Sequence, residues 1–276
     1  MKEKIDLIET RLKELIPKNN SYQKALFEAA SYSLLSSGKR LRPLLVLATL
    51  EAFNKDINLA LDPAISLELI HTYSLIHDDL PCMDDDDFRR GKPSLHKAHP
   101  EWLAVLTGDY LLTYAFEIIT NTKNLDDTKK VKLIRALTKY SGGDGLIAGQ
   151  VVDLSYEGKE IDFEKLKFMH LNKTAKLFMA AIEFGCIISD ASDDITNKFA
   201  LFAKNMGLAF QFFDDISDYA DEKSSDKTKN KATAPAILGL EKAKAFAVDL
   251  QKSALDILNA LPYDTTILEE ITSKIS

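Results

Sequence analysis

Glycine and proline are scarce in this chain, 11 and 8 among 276 residues. A sheet protein of that length needs more turn chemistry, and β-branched alternation is hard to find, so the scarcity points to helix. Cysteine is scarcer still, with only Cys82 and Cys186. That excludes a disulfide framework, and both read as reduced thiols. An excess of positive charge is missing too, the formal net charge being −7. Nucleic-acid binding rests on neutralising phosphates with a basic surface, so no nucleic-acid partner is expected. Long apolar runs are absent: Leu44 to Leu50 falls far short of a membrane span, and Glu183 interrupts Phe178 to Ile188. Met1 to Leu15 interleaves Lys and Glu with Ile and Leu, an amphipathic helix without the apolar centre of a signal peptide. A cytoplasmic protein with no stable membrane association is the expectation.

What is present is helical periodicity over a chain that is 46% hydrophobic, enough for a sizeable core. Helices are expected over Tyr22 to Leu35, Pro43 to Phe53 (with Pro43 at the first position), Pro63 to Asp79, Leu103 to Asn121 and Thr128 to Tyr140. Others are expected over Phe163 to Ile188, Ile195 to Tyr219 and Pro235 to Leu261. Breaks fall at Ser141 to Asp144, Glu157 to Lys159 and Glu222 to Asn230. No linker, repeat or low-complexity tract divides the chain, so residues 1–276 read as a single all-α domain.

Three charged segments stand out. From Asp78 to Asp87 six of ten residues are acidic. They repel one another, and hard divalent cations, magnesium above all, suit carboxylate oxygens shared with substrate phosphates. Asp78 and Asp84 do not share a face of a straight helix, but Pro81 ends or bends it, which lets Asp84 swing back toward Asp78. Upstream, His71, Ser74 and Asp78 form a polar stripe on an otherwise apolar helix. The second segment, Asp214-Asp215-Ile216-Ser217-Asp218, follows Gln211-Phe212-Phe213. Asp214 and Asp218 are four apart and point the same way; alone, this also suits a solvated acidic face. The third, Gly38-Lys39-Arg40-Leu41-Arg42-Pro43, puts three cations before a helix start, an anion site or a chance basic turn. It is no Walker loop, since Ser33 stands where a glycine is required. Together the three describe two acidic walls for a metal-bound diphosphate and one basic loop for a metal-free diphosphate.

With these residues the chain resembles the trans-prenyltransferase (polyprenyl diphosphate synthase) family, and within it the bacterial-type farnesyl diphosphate synthases. The likeness is carried by Ser37 to Pro43, His71 to Pro81, Met83 to Pro93, Gly108-Asp109, Ala148-Gly149-Gln150, Lys173-Thr174, Gln211, Asp214 to Asp218, and Asn230 to Thr233. It implies an isoprenoid synthase fold, ten or more helices around a central cavity, working as a homodimer with magnesium. It implies that isopentenyl diphosphate is joined head to tail to an allylic diphosphate, dimethylallyl or geranyl. Asp78, Asp84 and Asp214 would bind magnesium, with Asp79, Asp215 and Asp218 in support. Arg89, Lys173 and Lys231 would grip the allylic diphosphate; Lys39, Arg42, His71 and Arg90 would hold isopentenyl diphosphate. Thr174 and Gln211 would line the cation that forms. The chemistry suits these residue types, because a diphosphate leaves when metal and cations stabilise it in a water-poor site, with no Ser, Cys or His nucleophile.

In such enzymes bulk just before the first acidic motif sets product length. Tyr73, with the smaller Ser74 beside it, matches a farnesyl product; the alternative is geranylgeranyl diphosphate. The chain departs from the family pattern at Ser37, Phe213 and Ala234, in a short loop before Lys231 that makes Lys227 a lesser candidate, and in an Ile271–Ser276 end without arginines. A terpene cyclase needs only one diphosphate site, and a non-catalytic partner subunit typically loses one acidic motif, so both fit less well. A di-iron bundle needs a second Glu-x-x-His beside Glu68–His71, and Lys167 precedes His170 at the matching position. His77, His96 and His99 with Cys82 have no zinc-ligand spacing.

Overall fold

The computed structural model describes residues 1–17, 22–220 and 232–276. Among them helix is the rule, and strand is confined to one antiparallel hairpin, Phe88–Arg89 (β1) with Lys92–Pro93 (β2). The chain gathers into two units, Met1–Leu47 with Asp56–Ile134, and Ala48–Lys55 with Arg135–Ser276.

The first unit is built on a helix that is apolar almost all round. In α4 (Leu61–Asp78) the side chains of Ala64, Ile65, Leu67, Leu69 and Ile70 have no exposed surface, as expected of a helix with no polar stripe wide enough to face water. Against it lie α1 (Lys2–Leu15), α2 (Lys24–Leu34) and α6 (Glu101–Thr120). α1 buries Ile8, Leu12 and Leu15, one stripe at helical spacing, and Arg11 ties it to the start of α4 through Asp62, Nε to Oδ1 at 2.7 Å. α6 packs closely on α4 at Gly108, where an added Cβ would stand 2.0 Å from His77 Nε2. The imidazole fills that gap and lies 3.1 Å from the Val105 carbonyl. α6 is also long and apolar enough to cross a membrane by length and mean hydropathy (1.3), a property the search for unbroken apolar runs did not pick out. The short α5 (Leu95–Ala98) follows the hairpin, and α3 (Leu41–Ala52) and α7 (Asp127–Ser141) run in sequence from one unit into the other.

Two helices begin earlier than their prolines suggested. Pro43 and Pro63 stand third in α3 and α4 rather than first. The cost is nil in either place, because the first four N–H groups of a helix have no intrahelical partner. At the other end α4 stops at Asp78, three residues before Pro81, where the proline ring excludes helical geometry for what precedes it.

The second unit contains α8 (Leu146–Ser155), α9 (Phe163–His170), α10 (Lys176–Ile188), α11 (Asp193–Ala220), α12 (Ala234–Leu238), α13 (Leu240–Asn259) and α14 (Thr266–Ser273). α11 packs along α13, and Leu166, Met169, Phe212, Ala234, Ala243 and Ala247 form a buried cluster, with the Phe212 and Phe246 rings edge on at 4.9 Å. Two sequence expectations are corrected here. The helix expected over Pro235 to Leu261 is broken at Gly239, whose φ of +80° is available only at low cost to glycine. The stretch Phe163 to Ile188 is helical throughout but widens into a π-helical turn at Leu171–Ala175. α8 packs closely on that turn: an added Cβ on Gly149 would lie 2.2 Å from the Lys173 N and 2.6 Å from its Cα. α8, short and interrupted by that glycine, carries too little periodicity to be seen in the sequence.

Since the obstacle at Gly149 is backbone rather than a movable side chain, Gly149→Ala is expected to cost about 2 kcal/mol or more by overpacking. Chemical denaturation of the purified variant measures this, and an unchanged midpoint would show that the contact at Gly149 is not tight.

Candidate active site

In the first unit the chain after α4 folds back on itself. Leu80 N–H donates to the His77 carbonyl, Met83 N–H to the Leu80 carbonyl, and Asp84 N–H to the Asp78 carbonyl at 2.8 Å. Asp84 therefore returns to the end of α4, as the position of Pro81 suggests. Asp78, Asp79 and Asp84 are all largely buried. Asp79 is engaged by Arg89, whose Nε lies 3.0 Å from Oδ1, and the same guanidinium reaches Asp86 at 3.0 Å. Among the described residues no group of three or more His, Cys, Asp or Glu side chains closes around a metal by itself. Magnesium does not need one. It is held by one or two carboxylates, substrate phosphate oxygens and water, and the carboxylate-only donor set at the end of α4 fits that ion rather than a thiolate- or imidazole-bound metal.

Arg89 and Arg90 serve opposite neighbours. Arg90 and Gly91, with φ of +53° and +75°, are the two loop residues of the hairpin, the geometry of a type I′ turn. Arg90 Nη2 lies 3.3 Å from His71 Nε2, and its guanidinium lies over Gly38, 3.2 Å from where a Cβ would be. The Gly38 loop, His71 and Arg90 thus come together. Burial pushes the His71 pKa well below its usual value, and Arg42, Arg90, Arg40 and Arg89 add to the effect. His71 is a neutral imidazole among cations, able to donate a hydrogen bond without adding charge. Burial also pulls the Arg42 guanidinium down to about 10, with Glu68 opposing and Arg90 reinforcing the shift, which still leaves it charged at neutral pH.

The three cations of the basic loop are not equivalent. Arg40 is 2% exposed. Its Nε meets Glu9 of α1 at 2.7 Å, Nη1 meets Glu68 of α4 at 2.6 Å, and Nη2 donates to the carbonyls of Leu34 and Ser36 at 2.9 and 2.8 Å. It is the pin that holds the loop, whereas Lys39 is exposed and Arg42 half-buried at the start of α3. Sequence reasoning missed Glu9 and Glu68 as its partners; one signal was an acidic residue on an otherwise apolar buried helix.

In the second unit Lys173 and Thr174 stand in the π turn. Lys173 Nζ pairs with Asp153 of α8 at 2.6 Å. Thr174 donates to Gln211 Oε1 at 2.6 Å, so the two residues expected to line a cation do meet. The second acidic motif lies near the end of α11, with Asp214 exposed, Asp215 buried and Asp218 between them. Asp215 accepts from Gln211 Nε2 at 3.1 Å and from the Ala234 N–H at 2.7 Å, and His170 Nε2 lies 2.9 Å from it. Gln150, beside Gly149 on α8, is 7% exposed, and neither amide atom has a hydrogen-bond partner. Such an orphan is costly unless something else completes it. Lys231 and Lys227 lie outside the described residues.

Near the proposed length-setting position, Tyr73 is buried and its ring meets His77 edge on at 5.8 Å. Burial, then Asp78, raises its hydroxyl to about 12. The Ser74 hydroxyl donates to the His71 carbonyl of its own helix at 2.9 Å. His96, in α5 rather than on a loop, lies 3.2 Å from the Ser94 hydroxyl and 3.6 Å from Asp85.

Carboxylates suited to a hard cation, and guanidinium and ammonium groups suited to phosphate oxygens, with no nucleophile activated among them, define a transferase that works by ionising a diphosphate. Residues 23–265 match the model of the polyprenyl synthetase family, and the chain belongs to that family. It is 44% identical over 253 residues to the farnesyl diphosphate synthase of Geobacillus stearothermophilus, covering 88% of this chain and 85% of that one. It is 42% identical over 268 residues to the large subunit 1 of a heterodimeric geranylgeranyl pyrophosphate synthase of Arabidopsis thaliana, covering 92% and 72%. The crystal structure of the geranyltransferase of Helicobacter pylori, complexed with magnesium and isoprenyl diphosphate, superposes with a TM-score of 0.87 at 35% identity, covering 99% of this chain and 94% of that one.

Breaking a buried ion pair strands its partner, so Arg40→Met is expected to lower stability by about 3 kcal/mol, while Lys39→Ala changes it by less than about 0.5 kcal/mol. Thermal unfolding separates the two, and equal losses would mean that the loop has no single pin.

Proposed function

We propose that residues 1–276 work as one prenyl diphosphate synthase domain that condenses isopentenyl diphosphate head to tail with dimethylallyl and geranyl diphosphate, giving farnesyl diphosphate. The observation that carries this reading is the Asp84 N–H to Asp78 carbonyl hydrogen bond, which returns the second end of the first acidic motif to the first.

Asp78, Asp84 and Asp214 are the magnesium ligands of this proposal. Bound magnesium would neutralise the charge that builds on the leaving diphosphate. The chain's own residues do the rest. Arg89, Lys173 and Lys231 hold the allylic diphosphate by charge-assisted hydrogen bonds, while Lys39, Arg42, Arg90 and neutral His71 hold isopentenyl diphosphate. Thr174 and Gln211 present oxygen to the allylic cation. The orphaned Gln150 amide is a further polar group available to substrate. Carbon attack by the isopentenyl double bond then forms the new bond, and the proton lost from carbon passes to the departed diphosphate.

Buried Tyr73, held by His77, supports a farnesyl limit; the geranylgeranyl product is the second reading, favoured by the Arabidopsis likeness. A homodimer acting in the cytoplasm completes the proposal; the dimer is supported by the outward stripe of α6, where Trp102 and Leu106 are 63% and 50% exposed.

Incubation with magnesium, labelled isopentenyl diphosphate and each allylic acceptor in turn tests the reaction, with a fifteen-carbon product expected. Asp78→Ala and Asp214→Ala are each expected to lower kcat by roughly 10²-fold or more; near-normal turnover of a folded variant would sink the ligand assignment. Tyr73→Ala is expected to shift product toward twenty carbons, and an unchanged spectrum would move the length limit elsewhere.

A further inference from the structure

We propose that Asp215, held by His170, is a positioning residue that decides which atoms Gln211 and Thr174 present to the allylic cation. This rests on the reading above that Thr174 and Gln211 line that cation. The argument follows the direction of each hydrogen bond through the second unit.

Ala234 N–H, which can only donate, lies 2.7 Å from Asp215 Oδ2. His170 Nε2 lies 2.9 Å from the same oxygen and therefore meets it as N–H, because an ionised carboxylate only accepts. Gln211 must turn its NH₂ to the other oxygen, Oδ1, at 3.1 Å. Its carbonyl is then the group left for Thr174, 2.6 Å away. A carbonyl only accepts, so the Thr174 hydroxyl donates its one hydrogen there. What the hydroxyl keeps for anything else is lone pairs. Every link has one permitted direction, and the direction originates at Asp215.

Packing holds the origin in place. Asp215 is 5% exposed and His170 4%. The imidazole stands edge on to Phe212, 5.2 Å away and at 89°, and occupies the last position of α9 before the π turn that carries Thr174. Both Asp215 oxygens face protein donors, while its neighbour Asp214 is exposed. Of two adjacent aspartates, one is offered outward and the other anchors the polarity of the wall. An electron-rich wall stabilises a passing carbocation; the same groups with hydrogens forward would repel it. Asparagine at 215 would let the Gln211 amide turn over and release the Thr174 hydrogen.

The test compares two probes bound to the intact enzyme with magnesium. One is an allylic diphosphate analogue with an ammonium nitrogen at the carbon that carries the charge; the other is its neutral analogue of equal length. Calorimetry gives the ratio of the two affinities. Asp215→Asn and Thr174→Val are each expected to lower that ratio about tenfold with little change for the neutral probe. Asp215→Ala carries the test if Asp215→Asn does not fold. A ratio lost in Thr174→Val but kept in Asp215→Asn overturns the inference and leaves the role of Thr174 standing. Equal weakening of both probes in Asp215→Asn reduces that residue to a structural part and also overturns it. A ratio unmoved in Thr174→Val and Gln211→Leu removes the underlying reading, and the inference with it.

Discussion

A charge taken out of water must have a partner in the protein, and a site built for two diphosphates has to meet that condition before either substrate arrives. The four-donor pairing of Arg40 is the fullest case. Two carboxylates and two carbonyls surround a guanidinium that water barely reaches, and they join α1, the end of α2 and α4 at one point. The other deep charges follow the same rule inside their own units: Asp79 on Arg89, Lys173 on Asp153, Asp215 on His170 and the Ala234 N–H. Lys39 and Asp214, of the same residue types or charge, lie farther out. The fold thus sorts charged residues by depth.

That sorting explains which parts of the molecule were legible beforehand. Apolar spacing revealed α4, α6, α7 and α11 to within about two residues, the margin expected at helix ends. Pro81 foretold the return of Asp84 because a proline's effect on its neighbours is local. The positions of Arg40 and Lys39, by contrast, cannot be separated by residue type, since only burial against α1 and α4 distinguishes them. Asp215 was readable in principle: it lies three residues after buried Phe212 on a helix, so the two share a face. The close packing of Gly149 on the π turn was not readable, because the backbone it meets, that of Lys173, lies twenty-four residues later in the chain.

The same logic bears on specificity. Tyr73 and His77 lie a turn apart on α4, and Gly108 leaves the space that His77 fills. In the proposed role of Tyr73 as length limit, it would act from a helix whose neighbour packs on it through an imidazole and a missing side chain. Such packing resists displacement, which a length limit requires if products differing by five carbons are to be distinguished.

The hairpin and the basic loop share one further trait. Among the described residues six non-glycine positions have left-handed backbone, and four of them are asparagine or aspartate, types that visit this region at small cost. The other two are Arg40 and Arg90, with φ of +49° and +53°. Any scheme that ranks substitutions by backbone comfort would put glycine or asparagine at both positions first. Each exchange would relax the main chain and delete a guanidinium, one that pins a loop and one that meets His71. At Arg40 the lost ion pairs outweigh the relaxed backbone, and at Arg90 the exchange removes the group beside His71, so a thermostable relative that still turns over is expected to keep arginine at both.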